Sequence, residues 1–251
     1  HFMGCLPGGR FPHLSRCLPV YPAKDVQIGW AGNHGDKLTQ QTALFLRTAN
    51  NISLKFAQKD LGGARIIDYG CGWGRVMRAM LYYSNEVYGV DPWDKSISVC
   101  REHGIGDQVS LIDYEPDTLP YEDNFFDFGY AFSVFTHLGE KTMRSIFNSL
   151  SKVLRDRSIF IATIRPIEYW DQRGALHSKA VIEEMKERHR LGQVAFVPTQ
   201  ALSAGSLVYG EASCSVACIA SLAADCGFAL VGTDHIMSDP FQRLVVLQKV
   251  V

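Results

Sequence analysis

The spacing of apolar residues alternates between two periods from residue 64 onward. Short runs rich in branched and aromatic residues predict β-strands, and apolar residues three and four positions apart predict helices. The expected strands are residues 64–69, 86–90, 108–112, 126–131 and 158–164, and the expected helices are 75–83, 94–103 and 141–154. Repeated strand–helix–strand units predict an α/β fold, Rossmann-like and doubly wound, with a mostly parallel sheet and helices on both faces.

The flanks of this repeat predict additions to a single domain. Residues 1–29 carry Pro and Gly among short apolar pieces, which indicates an irregular arm, and from Asp36 a helical spacing predicts one or two helices. We therefore expect an N-terminal arm and helical lid at residues 1–60, and a domain at 61–251 with an insertion at about 167–212. A helix at 214–226 and strands at 228–234 and 242–249 predict a closing C-terminal antiparallel hairpin.

Composition narrows the class of protein. The 251 residues are 47% hydrophobic, which is enough for one sizeable core, and the net charge of -1 without a basic stripe disfavours nucleic acid as a partner. The chain has no apolar stretch of the roughly 20 residues that a membrane span needs. Seven cysteines without a CxxC pair predict reduced thiols. We expect a cytoplasmic protein that acts on a small molecule, without a membrane partner; a homodimer remains open.

A strand that runs into closely spaced glycines is the strongest chemical signal. Residues 65–75, RIIDYGCGWGR, place Gly70, Gly72 and Gly74 between a predicted strand and a helix, at the sheet edge where ligands bind. Glycine there lets the backbone approach a ligand and adopt positive φ. Asp91 ends the next predicted strand 21 positions after Gly70, where a carboxylate can accept both ribose hydroxyls. The glycine turn and Asp91 together predict a nucleoside-binding site at this edge of the sheet.

The glycine spacing separates two nucleoside ligands. The dinucleotide fingerprint G-x-G-x-x-G would require Gly at position 75, where this chain has Arg75. The pattern acid-x-Gly-x-Gly-x-Gly, which starts at Asp68, instead resembles the first motif of class I S-adenosylmethionine-dependent methyltransferases. The resemblance implies S-adenosyl-L-methionine as the cofactor, S-adenosyl-L-homocysteine as its product, and Asp68 and the three glycines as cofactor-binding residues.

Three further segments extend the resemblance over residues 64–165. Asp91 matches the family's ribose-binding acid, with Pro92 and Trp93 after it as further cofactor candidates. Residues 115–127 are similar to the family's acid, Leu-Pro and aromatic-Asp sequence. Residues 133–138 resemble the segment that borders the methionine half of the cofactor and the methyl-transfer centre, which implies a cofactor contact for Ser133.

The adenine-binding acid has two candidates. Aligned on Leu119-Pro120, Glu115 falls where the family usually has an Asp, and Asp113 two residues earlier is its rival. Tyr114 lies between them and is included among the cofactor candidates. We assign the role to Glu115 and keep Asp113 as the alternative.

Two residues outside the motif carry open roles. An imidazole at His137 could act as a general base because its ordinary pKa of about 6.5 allows it to accept a proton at neutral pH. A structural histidine at a helix start is the alternative. Trp30, in the sequence WAGNHG, could fold over the cofactor as part of a lid or belong to a capped turn.

Two further side-chain groups have competing interpretations. Aromatic and polar residues of the insertion could line an acceptor pocket or form a small local core. The residues are Tyr169, Trp170, Tyr209, His177 and Glu211. Cys214 and Cys218 lie one helical turn apart but lack further ligands at suitable spacing, so buried thiols are favoured and no metal site is predicted.

The combined expectation is a methyltransferase that transfers a methyl group directly, by an SN2 step, to a hydroxyl of a sugar or other small metabolite. N- or C-methylation of a small molecule would use the same cofactor motifs. A nicotinamide-dependent oxidoreductase would share Asp91, and a non-catalytic cofactor-binding protein would keep the motifs without a working acceptor pocket.

Overall fold

The computed structural model describes residues 21–199, 208–236 and 239–250. These residues fall into two compact units, the first made of residues 21–113 and Phe126–Tyr130 and the second of Tyr114–Phe125 and the described residues from 131 onward. The helices are α1 (Lys24–Ala31), α2 (Asp36–Ile52), α3 (Arg75–Met80), α4 (Asp94–Glu102), α5 (Glu140–Val153), α6 (Lys179–Arg190) and α7 (Val216–Ala224). The strands are β1 (Ile66–Tyr69), β2 (Val87–Asp91), β3 (Val109–Leu111), β4 (Phe126–Ala131), β5 (Leu154–Ile164), β6 (Ala195–Pro198), β7 (Gly210–Ser213), β8 (Phe228–Ile236) and β9 (Asp239–Lys249).

The first unit is built on parallel strands in the order β3-β2-β1-β4. Ile66 pairs with Val87 on one side and with Phe128 on the other, and every residue of β1 is buried. Burial on both faces explains why, apart from Asp68, apolar residues occupy this strand instead of alternating with polar ones. Helix α2 is tied to α3 by a hydrogen bond from Arg75 Nη1 to Thr42 Oγ1 at 2.7 Å.

The second unit contains antiparallel strands in the order β5-β9-β8. The register sets Phe160 of β5 opposite Leu247 of β9. Helix α5 buries the stripe predicted from its spacing, and Phe147 from that stripe packs on Phe160 and Phe228 with ring centroids 6.4 and 5.8 Å away. Aromatic contacts of this kind explain why α5 and the hairpin strands form one core.

The predicted fold class is confirmed. The larger sheet has seven strands, is mixed and mostly parallel, and ends in the expected C-terminal antiparallel hairpin. Gly104, which follows the helix predicted at residues 94–103, has a left-handed φ of 85°. Helix α3 is shorter than predicted because Tyr82 N and Tyr83 N donate to carbonyls three residues back, which tightens the last turn.

Two local predictions were wrong. Residues 24–29 form part of α1 rather than an irregular arm, because the side chain of Gln27 bonds Pro22 O and the N–H of Gly35 and so joins both ends of the segment. Within the insertion, where no strand was predicted, β6 and β7 pair as an antiparallel ribbon, and a long-range pairing of this kind leaves no local period. Residues 1–20 of the predicted arm lie outside the described residues.

Candidate functional site

The glycine turn joins β1 to α3 in the first unit. Gly70, Gly72 and Gly74 have φ of 72, 54 and 75°, the left-handed region that favours glycine. At Gly74 a Cβ would overlap Ile105 Cδ1 and lie 2.7 Å from Arg78 Nη1. The turn therefore requires glycine both for its backbone conformation and for its packing.

The carboxylate of Asp91 is fixed beside that turn. Asp91 is the last residue of β2, only 7% exposed, and its Oδ2 accepts the Gly72 N–H at 2.8 Å while Oδ1 accepts the Trp93 N–H at 2.9 Å. Burial raises the pKa of Asp91, and the two N–H groups act against that rise. A third hydrogen bond, from the Ser96 side chain, also opposes the rise, and a carboxylate with about four lone-pair sites can still accept one further hydroxyl group.

Asp68 lies at the buried end of the same region. Burial raises the pKa of Asp68 to about 7, opposed by the Tyr130 hydroxyl and increased by the charge of Asp91. Near neutral pH this group exchanges a proton readily, and a cation bound nearby would favour its charged form.

Trp30 packs over the glycine turn and over Trp93. Its ring lies 4.6 Å from the ring of Trp93, and its Nε1 donates to Ser96 Oγ at 3.4 Å. A Cβ on Gly72 would come within 3.4 Å of Trp30 Cδ1. The capped turn that was the alternative to a lid is also present, since Gly32 ends α1 with φ of 65°. The two interpretations of this segment are therefore compatible.

The two candidate adenine acids differ in their partners. Glu115, in the second unit, accepts hydrogen bonds from Lys141 Nζ and from Thr142 Oγ1, and the bond from Lys141 lowers its pKa. Asp113 follows β3 in the first unit and is exposed, and its side chain makes no hydrogen bond within the described residues. Of the two carboxylates, only that of Glu115 accepts side-chain hydrogen bonds within the described residues. Tyr114, which lies between them in sequence, belongs to the second unit.

Ser133 is held in a conformation that few non-glycine residues adopt. Its φ is 61°, its N–H donates to Thr163 Oγ1 at 2.7 Å, and its Oγ accepts from Gln242 Nε2 at 3.0 Å. Strained residues of this type persist only where their surroundings fix them, and they concentrate at functional sites. The backbone strain at Ser133 is consistent with the cofactor contact that the resemblance implies for this residue.

His137 has both ring nitrogens engaged in the second unit. Nδ1 lies 2.8 Å from the carbonyl oxygen of Gly210, and because a carbonyl only accepts, Nδ1 carries the proton. The lone pair of Nε2 then faces Arg165 Nη2 at 3.3 Å. Burial and the charge of Arg165 lower the pKa of His137 to about 3. The imidazole is a weak base, which favours a structural role over general-base chemistry.

This low pKa makes stability depend on pH. In the unfolded chain His137 takes up a proton near pH 6.5, whereas the folded chain resists it down to about pH 3. The stabilising contribution is therefore complete above pH 6.5 and is lost as pH falls toward 3. We expect the free energy of unfolding to decrease by about 1 kcal/mol per pH unit below 6.5 from this group, somewhat under the limiting value because the ring is partly exposed.

Urea unfolding of the wild type and His137→Gln at pH 7.5 and 5.0 measures this dependence. Asp68 acts with the opposite sign, since its raised pKa favours the folded state at lower pH, but it is present in both proteins and cancels in the comparison. A smaller loss of stability in the variant is the expected result, and equal losses would contradict the depressed pKa of His137.

The insertion aromatics form a small core, as the second interpretation predicted. Tyr169 and Trp170 are buried with Met185 and Ala195. Glu211 accepts from the Tyr169 hydroxyl at 2.8 Å and from Arg173 Nε at 3.0 Å, and lies 2.7 Å from His177 Nε2. Sequence reasoning missed the neighbouring Arg165, although a cation directly after the buried strand β5 was a usable signal.

The described residues add two negative findings. No group of three or more His, Cys, Asp or Glu side chains among them could hold a metal ion, and Cys214 and Cys218 are buried as expected. No helix within the described part of the chain combines the length and apolar character needed to cross a membrane.

Comparison with known proteins identifies the domain. Residues 67–162 match the family model described as a methyltransferase domain. The chain is 26% identical over 126 residues to a ubiquinone biosynthesis O-methyltransferase of Xanthomonas oryzae pv. oryzae (strain PXO99A), covering 47% of this chain and 52% of that protein. A protein of the same name from Bordetella avium (strain 197N) is 33% identical over 81 residues, covering 31% of this chain and 32% of that protein. The chain thus spans about half or less of the curated relatives it matches.

Solved structures share the fold. A protein from Pyrococcus horikoshii OT3 has a TM-score of 0.60 at 17% identity, covering 92% of this chain and 96% of its own. Magnesium protoporphyrin IX methyltransferase from Synechocystis PCC 6803, solved with S-adenosylhomocysteine bound, has a TM-score of 0.55 at 17% identity, covering 90% and 93%. Residues 67–162 of this chain thus match a methyltransferase domain, and the chain shares its fold with a methyltransferase solved with S-adenosylhomocysteine bound.

Proposed function

We propose that this chain transfers a methyl group from S-adenosylmethionine to a hydroxyl of a small molecule. The observation that carries the proposal is the Asp91 carboxylate, which the N–H groups of Gly72 and Trp93 hold beside the glycine turn. A rigid carboxylate at the end of the second parallel strand suits the two ribose hydroxyls of a nucleoside. The match of residues 67–162 to a methyltransferase domain supports the same donor.

Residues of the first unit would hold the cofactor. Asp91 would accept the ribose hydroxyls, the Gly70–Gly74 backbone would pass beneath the amino-acid half, and Asp68 would face its positive charge. Trp93 and Pro92 would border the adenine, with Trp30 as part of the helical lid. Asp113 is favoured over Glu115 for the adenine amino group, because the Glu115 carboxylate already accepts from Lys141 and Thr142.

The chemistry needs little acid–base assistance. When bound, the cofactor supplies a methyl group on a sulfonium, which is open to attack by an acceptor oxygen aligned behind it. The chain would contribute position and exclusion of water. Ser133 would border the methionine half, and the insertion at about 167–212 would cover the acceptor side. His137 remains the predicted base, although its low pKa favours a positioning role.

The choice of an oxygen acceptor rests on the relatives. Several curated relatives are named ubiquinone biosynthesis O-methyltransferases, which supports O-methylation here without indicating that this chain shares their substrate. A second candidate is C-methylation, because a protein named sterol 24-C-methyltransferase from Schizosaccharomyces pombe is 24% identical over 103 residues. A sugar hydroxyl remains a proposal from the chain's near-neutral charge and polar insertion.

Calorimetry with two nucleoside ligands tests the donor. We expect S-adenosylhomocysteine to bind with micromolar or better affinity and NAD to show no heat of binding, because Arg75 stands where a dinucleotide turn needs glycine. Binding of NAD alone would support the oxidoreductase instead. Methyl transfer from labelled S-adenosylmethionine to an acceptor panel would then separate an enzyme from a non-catalytic binding protein.

A further inference from the structure

A guanidinium without a carboxylate partner lies at the end of β5 in the second unit. Arg165 Nη1 donates to the carbonyl oxygen of Thr136 at 2.8 Å, and Nη2 donates to Nε2 of His137 at 3.3 Å. A guanidinium has five N–H groups. Three of those on Arg165 therefore have no protein acceptor within the described part of the chain, and none of its nitrogens is in an ion pair there.

The neighbouring acids are committed elsewhere. Glu211 accepts from Arg173, from Tyr169 and at 2.7 Å from His177. Asp239 is close enough to favour the charge of Arg165, but its Oδ1 accepts the Phe241 N–H at 3.2 Å. The positive charge of Arg165 thus lacks a contacting anion, and burial of such a charge is costly.

The orientation of Arg165 is fixed on several sides. The Tyr169 ring lies against the guanidinium, with Cζ 4.0 Å from the ring centroid. His137 is itself held by the Gly210 carbonyl and by stacking on Tyr209, with centroids 4.8 Å apart and planes within 5°. A planar fork held this way is prepared to bind a carboxylate or phosphate through two parallel hydrogen bonds.

We propose that Arg165 recognises an oxyanion, a carboxylate or a phosphate, on the methyl acceptor, and that His137 is the positioning residue that orients it. The inference rests on the proposed function, since Thr136 and His137 belong to the segment assigned to the methyl-transfer centre. Arg165 bonds that segment directly, through the carbonyl oxygen of Thr136. Thr163, two residues before Arg165, accepts the N–H of Ser133 from the same segment. The acceptor would then carry an anionic group in addition to the group that is methylated.

Calorimetry with small oxyanions tests this proposal on the full chain, with and without S-adenosylhomocysteine. The probes are benzoate, phenyl phosphate and the neutral benzamide. The wild type is expected to bind one oxyanion about 10-fold tighter than benzamide, the range expected when a hydrogen bond gains a charge. Arg165→Gln should abolish that preference and Arg165→Lys should keep part of it. Whether benzoate or phenyl phosphate is preferred distinguishes the two anions.

Arg190→Gln is the matched control, because Arg190 is exposed and paired with Glu187. It should retain the wild-type preference. Equal binding of oxyanions and benzamide, or no oxyanion binding at millimolar concentration, would overturn the role of Arg165. If S-adenosylhomocysteine binds normally, either result leaves the assignment of the methyl donor intact. If S-adenosylhomocysteine does not bind the wild type, that result counts against the methyl donor alone.

Two variants of His137 test its positioning role. His137→Phe removes the acceptor for Arg165 and should lower the oxyanion preference, while His137→Gln keeps an acceptor and should restore much of it. S-adenosylhomocysteine affinity should not change in either. An unaltered preference in His137→Phe would remove His137 as the residue that orients Arg165.

Discussion

Replacing Asp91 with Asn is expected to weaken S-adenosylhomocysteine binding about 100-fold. The amide removes the negative charge and one of the two acceptor oxygens, so the ribose hydroxyls lose charge-assisted hydrogen bonds that contribute about 1.5–3 kcal/mol each. In the wild type the N–H groups of Gly72 and Trp93 bond separate carboxylate oxygens. The amide of Asn has a single oxygen, so it cannot accept from both N–H groups in that arrangement. Calorimetry measures the change in affinity.

Asp94→Asn is the matched control for this experiment. Asp94 lies three residues further along the chain, is exposed, and its carboxylate accepts only the neighbouring Lys95 N–H among the hydrogen bonds of the described residues. Its replacement should leave affinity unchanged. Thermal melting of Asp91→Asn checks that the protein is folded, and wild-type affinity in a folded Asp91→Asn protein would reject Asp91 as the ribose-binding acid.

Replacing Gly74 with Ala is expected to destabilise the fold by about 3 kcal/mol or more. The left-handed backbone costs an alanine about 1–2 kcal/mol, and overpacking in a well-packed region adds about 1–3 kcal/mol. The new methyl group would meet Ile105 Cδ1, Arg78 Nη1 and Cys100 Sγ. Arg78 cannot easily move away because it is fully buried and its Nη1 donates to the Trp73 carbonyl.

Gly106→Ala separates the two causes. Gly106 also has positive φ, 55°, but a Cβ there would meet nothing within 4 Å. Its replacement should cost only the backbone term, about 1–2 kcal/mol. Urea unfolding of both variants measures the difference; similar losses would show that packing against Ile105 and Arg78 contributes nothing, and a Gly74→Ala chain that fails to fold while Gly106→Ala folds agrees with the prediction.

The sequence alone was sufficient for the parallel core, and it carries the prediction of a nucleoside-binding edge. Buried parallel strands are mostly apolar, and the helices that cover them have apolar stripes. Both patterns can be recognised from a short stretch of sequence, as in β1 and α5. The spacing from Gly70 to Asp91 and the arginine at position 75 are likewise local. These features predict a methyltransferase domain, which the match of residues 67–162 supports, before any contact is known.

Only the tertiary structure decided how the candidate side chains are engaged. Lys141 reaches Glu115 from 26 residues away, Arg165 faces His137 from 28, and the Gly210 carbonyl that sets the His137 proton lies 73 residues from it. Such partners leave no periodic pattern along the chain, and yet burial and the charge of Arg165 lower the pKa of His137, and Lys141 occupies Glu115. The methyl donor can be predicted from the sequence because its motif is local. The chemical class of the proposed acceptor depends instead on side chains that only folding brings together.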